Sequence, residues 1–94
     1  MQEVNFENNQ ILLIKTLGEI VKVHRLSKDK TIYKISAEAS MSKSTWRDVE
    51  FGVSKNITLT TLWKIADGLE LPPAKLIEEL SSRLGEDFSL SDIE

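Results

Sequence analysis

The stretch MSKSTWRDVEFG, Met41 to Gly52, gathers the side chains best placed to do chemistry. On a helix starting at Lys43, residues 43, 44, 47, 48 and 51 share one broad face, while Trp46 and Val49 turn the other way. That face carries an ammonium, a hydroxyl and a guanidinium, all donors suited to an anion or an acceptor-rich edge. Ser42 stands at the N-cap, and the unsatisfied amides of a first helical turn add to the attraction for anions. Two features run against this reading: Asp48 lies on the same face, and the 94-residue chain has a net charge of −3.

Other chemistries find little material. The chain has no cysteine and a single histidine, His24, so thiolate and His-cluster metal chemistry are not expected, and neither is a cofactor. His24 lies beside an apolar stripe and reads as a packing residue. The carboxylate pairs Glu78/Glu79 and Glu86/Asp87 are sequence neighbours that do not converge on a pocket, and no nucleophile-base set or phosphate-cradling glycine loop occurs. An enzyme is therefore not expected. The longest apolar run, Ile11 to Ile14, has four residues against the roughly 18 of a membrane span, and no basic-then-apolar leader opens the chain. The expectation is a cytoplasmic protein without membrane contact.

The charge total conceals a division. From Lys15 to Lys64 ten Lys/Arg face five acids, a net of +5, whereas the remaining residues set two basic against ten acidic, a net of −8. A basic middle and acidic periphery suit a localised anion-binding face, because steering depends on where charges sit.

The elements that must position this face read as helices separated by capped turns, an all-α domain. A first helix is expected from about Gln10 to Leu26, capped by Asn8 or Asn9, with Leu13, Leu17, Ile20 and Val21 as its stripe. Thr31 can cap a short second helix packing through Ile32, Ile35, Ala37 and Ala39. The third runs from Ser42 to a left-handed Gly52. Thr58 opens a fourth, whose apolar side is Leu59, Leu62, Trp63, Ile65, Ala66 and Leu69. Pro72 and Pro73 open a fifth, with Leu76, Ile77, Leu80 and Leu84 facing inward. Residues 1–9 are expected as a flexible arm, 10–84 as the folded domain and 85–94 as a loose acidic tail whose Phe88, Leu90 and Ile93 are available to a partner.

The run TIYKISAEASMSKSTWRDVEFG followed by TLTTLWKIADGLELPPAKLI resembles the Cro/repressor-type (XRE-like) helix-turn-helix family of bacterial and phage transcriptional regulators. The likeness spans about Leu17 to Leu80 and includes LGEIVKVHR in the first helix. It implies a compact five-helix lambda-repressor-like domain with helices 2 and 3 as the helix-turn-helix. It also implies a sequence-specific double-stranded DNA-binding regulator, a repressor or controller acting as a homodimer on an inverted repeat, since one recognition helix reads too few bases alone. A small-molecule effector is not expected. The second copy has two candidate surfaces, the hydrophobic start ILLI or the fifth helix and tail.

Within that reading Lys43, Ser44, Arg47 and Asp48 are the base-contacting residues. Arg47 leads, because a guanidinium engages guanine O6 and N7 together, a discrimination of ~1–3 kcal/mol. Asp48 suits a cytosine N4 donor, or else orients Arg47. Thr31, Tyr33, Ser42, Lys55 and Asn56 are the expected backbone contacts, fixing register and carrying salt dependence. Trp46 invites stacking on unstacked bases, but the family keeps a buried aliphatic residue there, so core packing is expected, as it is for Trp63. By the same resemblance Arg25 and Glu50 form a structural ion pair that sets the angle of the third helix, with Arg25 free to touch phosphate as well.

Three positions depart from the family pattern. Ile32 replaces a common glutamine, Lys30 a usually apolar residue, and Ser40 the turn glycine, so Ser40 must take an unusual φ or build a different turn. Ile32, Asp48 and the net charge support a rival expectation of a different class. This is a protein-interaction module on the same fold, antitoxin-like or adaptor, with weak DNA affinity.

Overall fold

The computed structural model describes residues 6–91, and these form α1 (Phe6–Ser27), α2 (Ile32–Glu38), α3 (Lys43–Phe51), α4 (Leu59–Leu69) and α5 (Pro73–Leu84), with no strand among them. No helix among the described residues is long and apolar enough to cross a membrane.

Local chemistry starts and stops these helices. Thr31, Ser42 and Thr58 each turn a side-chain oxygen onto the backbone N–H three residues on, at 3.0–3.1 Å, satisfying a donor the helix cannot. Gly52 closes α3 at φ 71°. Ser40 takes the equivalent place after α2 at φ 56°, held by Met41 N–H donating to Ser36 O at 2.9 Å and Ser40 N–H to Ala37 O at 3.1 Å. The glycine-type turn is thus kept with a serine in it.

The core forms around α1, which packs mainly on α3 and α5, while α2 rests on α3 and α4. Leu17, Ile20, Val21, Ile35, Trp46, Val49, Ile65, Leu69 and Leu76 form one buried cluster. Gly18 lets α1 approach the end of α3 closely, since a Cβ there would lie 2.4 Å from Val49 O and 2.8 Å from Glu50 O. A side chain cannot displace two backbone carbonyls cheaply, so this glycine sets the α1–α3 spacing.

Several expectations are corrected. The first helix begins at Phe6, so Asn8 and Asn9 lie within it and residues 6–9 are not an arm; residues 1–5 lie outside the described set. Tertiary partners explain the asparagine and glutamine in this turn. Asn9 Nδ2 donates to Ser89 O at 2.7 Å, and Gln10 Nε2 to Lys55 O at 2.8 Å, so neither side chain competes with its own backbone. The Ser89 bond also draws residues 85–91 back onto the fold, where Phe88 and Leu90 border a groove with Leu13, Leu80 and Leu84. Ile93 lies outside the described residues. On α2 the buried position is Ser36 rather than Ala37, its hydroxyl donating to Tyr33 O at 3.1 Å. Leu59, Trp63 and Ile77, expected inside, are exposed together on the α4–α5 side.

Candidate nucleic-acid interface

α3 is gripped from within by a polar network. Glu50 Oε2 accepts from Arg25 Nε at 2.6 Å and from Trp46 Nε1 at 2.7 Å, while Oε1 accepts from Arg25 Nη2 at 3.0 Å. The Arg25 and Glu50 side chains are only 10% and 1% exposed. A carboxylate this deep is tolerable because every lone pair in use faces a donor, two of them in a bidentate guanidinium. Arg25 Nη1 then donates to Lys30 O at 2.8 Å, tying the same group to the turn before α2. With Nε, one Nη1 hydrogen and one Nη2 hydrogen bonded inward and its side chain 10% exposed, Arg25 is a positioning residue for α3. Trp46 is fully buried and supplies packing plus the indole N–H, not a stacking platform.

The opposite side of α3 is open. Lys43, Ser44 and Arg47 are exposed, Asp48 is half-buried, and Phe51 ends the row exposed. Neither Lys43 nor Arg47 has a carboxylate partner among the described residues, and Asp48 has no cation. Asp48 therefore does not orient Arg47 through an ion pair here. Thr31, Tyr33, Ser42, Lys55 and Asn56 are exposed as well. The Thr31 oxygen caps α2, leaving its hydroxyl proton free to donate outward. Ser42 is more committed, accepting from Thr45 N–H and donating to Thr45 Oγ1 at 2.7 Å, so its hydroxyl proton is spent within the first turn of α3. Asn56 Oδ1 accepts from Gln10 Nε2 at 3.1 Å, which anchors the loop carrying Lys55 onto α1.

Some of the middle segment's other cations are paired off. Lys30 and Lys34 share Glu38, and Lys28 meets Glu70. The Lys30 hydrogen bond holds the Glu38 carboxyl below its ordinary range and raises Lys30, and the Lys28 hydrogen bond does the same to Glu70. The +5 of the middle segment is thus not a uniform basic field. Among the described residues its cations without an ion pair on or beside α3 include Lys43, Arg47, Lys55 and Lys15, the last packed against Gly52, while Lys64 reaches toward Ser40 O at 3.5 Å. On the far side His24 pairs with Glu79 at 2.9 Å across α1 and α5, a partner that spacing alone did not reveal.

Two positioning features were missed from sequence. The Trp46–Glu50 bond had an available signal, because residues four apart on a helix are neighbours. Gly18 had none, since its neighbours belong to another helix. Among the described residues no three His, Cys, Asp or Glu side chains gather as a metal site. No protein-family model matches the chain, and a search of curated proteins gives no match.

Proposed function

We propose that this chain binds double-stranded DNA in a sequence-specific manner through α3, and regulates transcription as a homodimer on an inverted repeat. The observation that carries the reading is the outward row of α3, with Lys43, Ser44 and Arg47 exposed and neither cation paired among the described residues, on a helix locked from behind by Arg25, Glu50 and Trp46. A short capped turn between α2 and α3 supports taking the pair as a helix-turn-helix in a lambda-repressor-like domain. α3 lies along the major groove, with the short side chains and free amides of its first turn facing base edges and phosphate. Arg47 reads a guanine, Lys43 and Ser44 contact bases or phosphate in the first turn, and Asp48 accepts from a cytosine amino group. Thr31, Tyr33, Lys55 and Asn56 hold the flanking phosphates.

Selection from a randomised duplex pool tests this. The expected result is one enriched motif, bound ~10³-fold or more above scrambled DNA, with Arg47→Ala weakening binding by ~1–3 kcal/mol. A pool that yields no enriched motif contradicts the reading. The exposed Leu59, Trp63 and Ile77 favour a second reading, the protein-interaction module. In that case the same selection fails while a protein partner is retained, and retention is lost on Trp63→Glu.

A further inference from the structure

Phe51 is the last residue of α3 and is 62% exposed. Its ring has no polar atom to offer to water, to phosphate or to a base acceptor. It is nonetheless in line with the polar row: Ser44, Arg47 and Phe51 recur at spacings of three and four, and so occupy one stripe of the helix. The ring is also held there. Gly52 fixes the helix end at φ 71°, and the preceding carbonyls of Val49 and Glu50 abut Gly18 on α1, so α3 cannot roll to bury Phe51 without losing the Trp46 and Glu50 contacts on its opposite side.

We infer that Phe51 is a specificity-determining residue that packs on the 5-methyl group of a thymine in the major groove. The inference rests on the DNA reading above. Of the four base edges in that groove only thymine presents an apolar group, and phenylalanine is among the side chains that contact it. Four residues of helix advance about 6 Å, at most about two base-pair steps of 3.4 Å each, so the methyl belongs one or two positions from the guanine that Arg47 reads. Asp48 lies between the two on the same face, and its carboxylate faces base donors there, away from the phosphates that would repel it. α3 then reads a compact element in which a guanine, a cytosine amino group and a thymine methyl follow one another.

The test uses the selected duplex with each thymine replaced singly by deoxyuridine, which deletes the methyl and leaves pairing intact. One replacement is expected to weaken wild-type binding about fourfold, the worth of one buried carbon group, and to leave Phe51→Ala unaffected. Phe51→Leu is expected to retain most of the discrimination, because it keeps an apolar tip. As Phe51 is exposed, the variants should keep the wild-type melting curve. If Arg47-dependent binding persists while no deoxyuridine position separates wild type from Phe51→Ala, this inference is overturned and the DNA reading stands. If no duplex binds, both fall.

Discussion

Trp46 on α3 and Trp63 on α4 are the same side chain in opposite settings, the first 0% and the second 53% exposed. Trp46 lies where α1, α2 and α4 converge, its six-membered ring 3.4 Å from the position a Cβ on Gly68 would take, and its N–H is spent on Glu50. Trp63 stands with Leu59 and Ile77 beside Pro72 and Pro73, on a surface left exposed among the described residues. The inner tryptophan region holds polar atoms and satisfies them all; among the described residues no buried side-chain nitrogen or oxygen lacks a partner. The outer one is apolar and open. Rigidity of α3 is thus built from inside, while the α4–α5 surface contributes little to the core.

Substitutions in the two regions should separate accordingly. Trp46→Ala should have the largest effect, a loss of ~3–5 kcal/mol in denaturant unfolding. Trp46→Phe should cost ~1–3 kcal/mol, by leaving a buried carboxylate with one donor fewer and a small void where the indole's second ring was. Gly18→Ala comes next at ~1–3 kcal/mol, because the new methyl meets backbone carbonyls and must push α3 away. It should also weaken DNA binding without touching a contact residue. Trp63→Ala should reduce stability by only about 1 kcal/mol, since much of its surface is already in water. A Trp63 effect equal to that of Trp46 would break the comparison. The smallest change is Ser40→Gly at the α2–α3 turn. Relief of the left-handed serine should raise stability by up to about 1 kcal/mol, read as a higher melting temperature.

The contrast also marks what could be read in advance. Thr31, Ser42, Thr58 and Gly52 were legible because caps act on residues three or four away, within the same segment. Trp46 and Val49 were legible as the inward side of α3 by helical spacing alone. α4 was over-read: its apolar residues span an arc wider than the contact its neighbours provide, so Leu62, Ile65, Ala66 and Leu69 are buried and Leu59 and Trp63 are left outside. Ser36 was under-read because a hydroxyl that bonds its own helix can be buried as readily as alanine. Of the candidate interface, the outward side of α3 was legible from helical spacing, whereas the lack of ion pairs on Lys43 and Arg47 among the described residues was not. The commitment of Arg25 to Lys30 O, and of Ser42 to Thr45, depends on geometry that spacing does not encode.

The central claim is that the unneutralised row on α3 reads DNA. It is tested most directly by the affinity of wild type and Arg47→Ala for the selected and a scrambled duplex across a salt series. Wild-type affinity should fall steeply, the log–log slope rising by ~0.9 for each phosphate neutralised, with the selected duplex preferred throughout. Arg47→Ala should keep a salt slope and lose the preference. Wild-type binding that ignores salt and treats the two duplexes alike would contradict the claim.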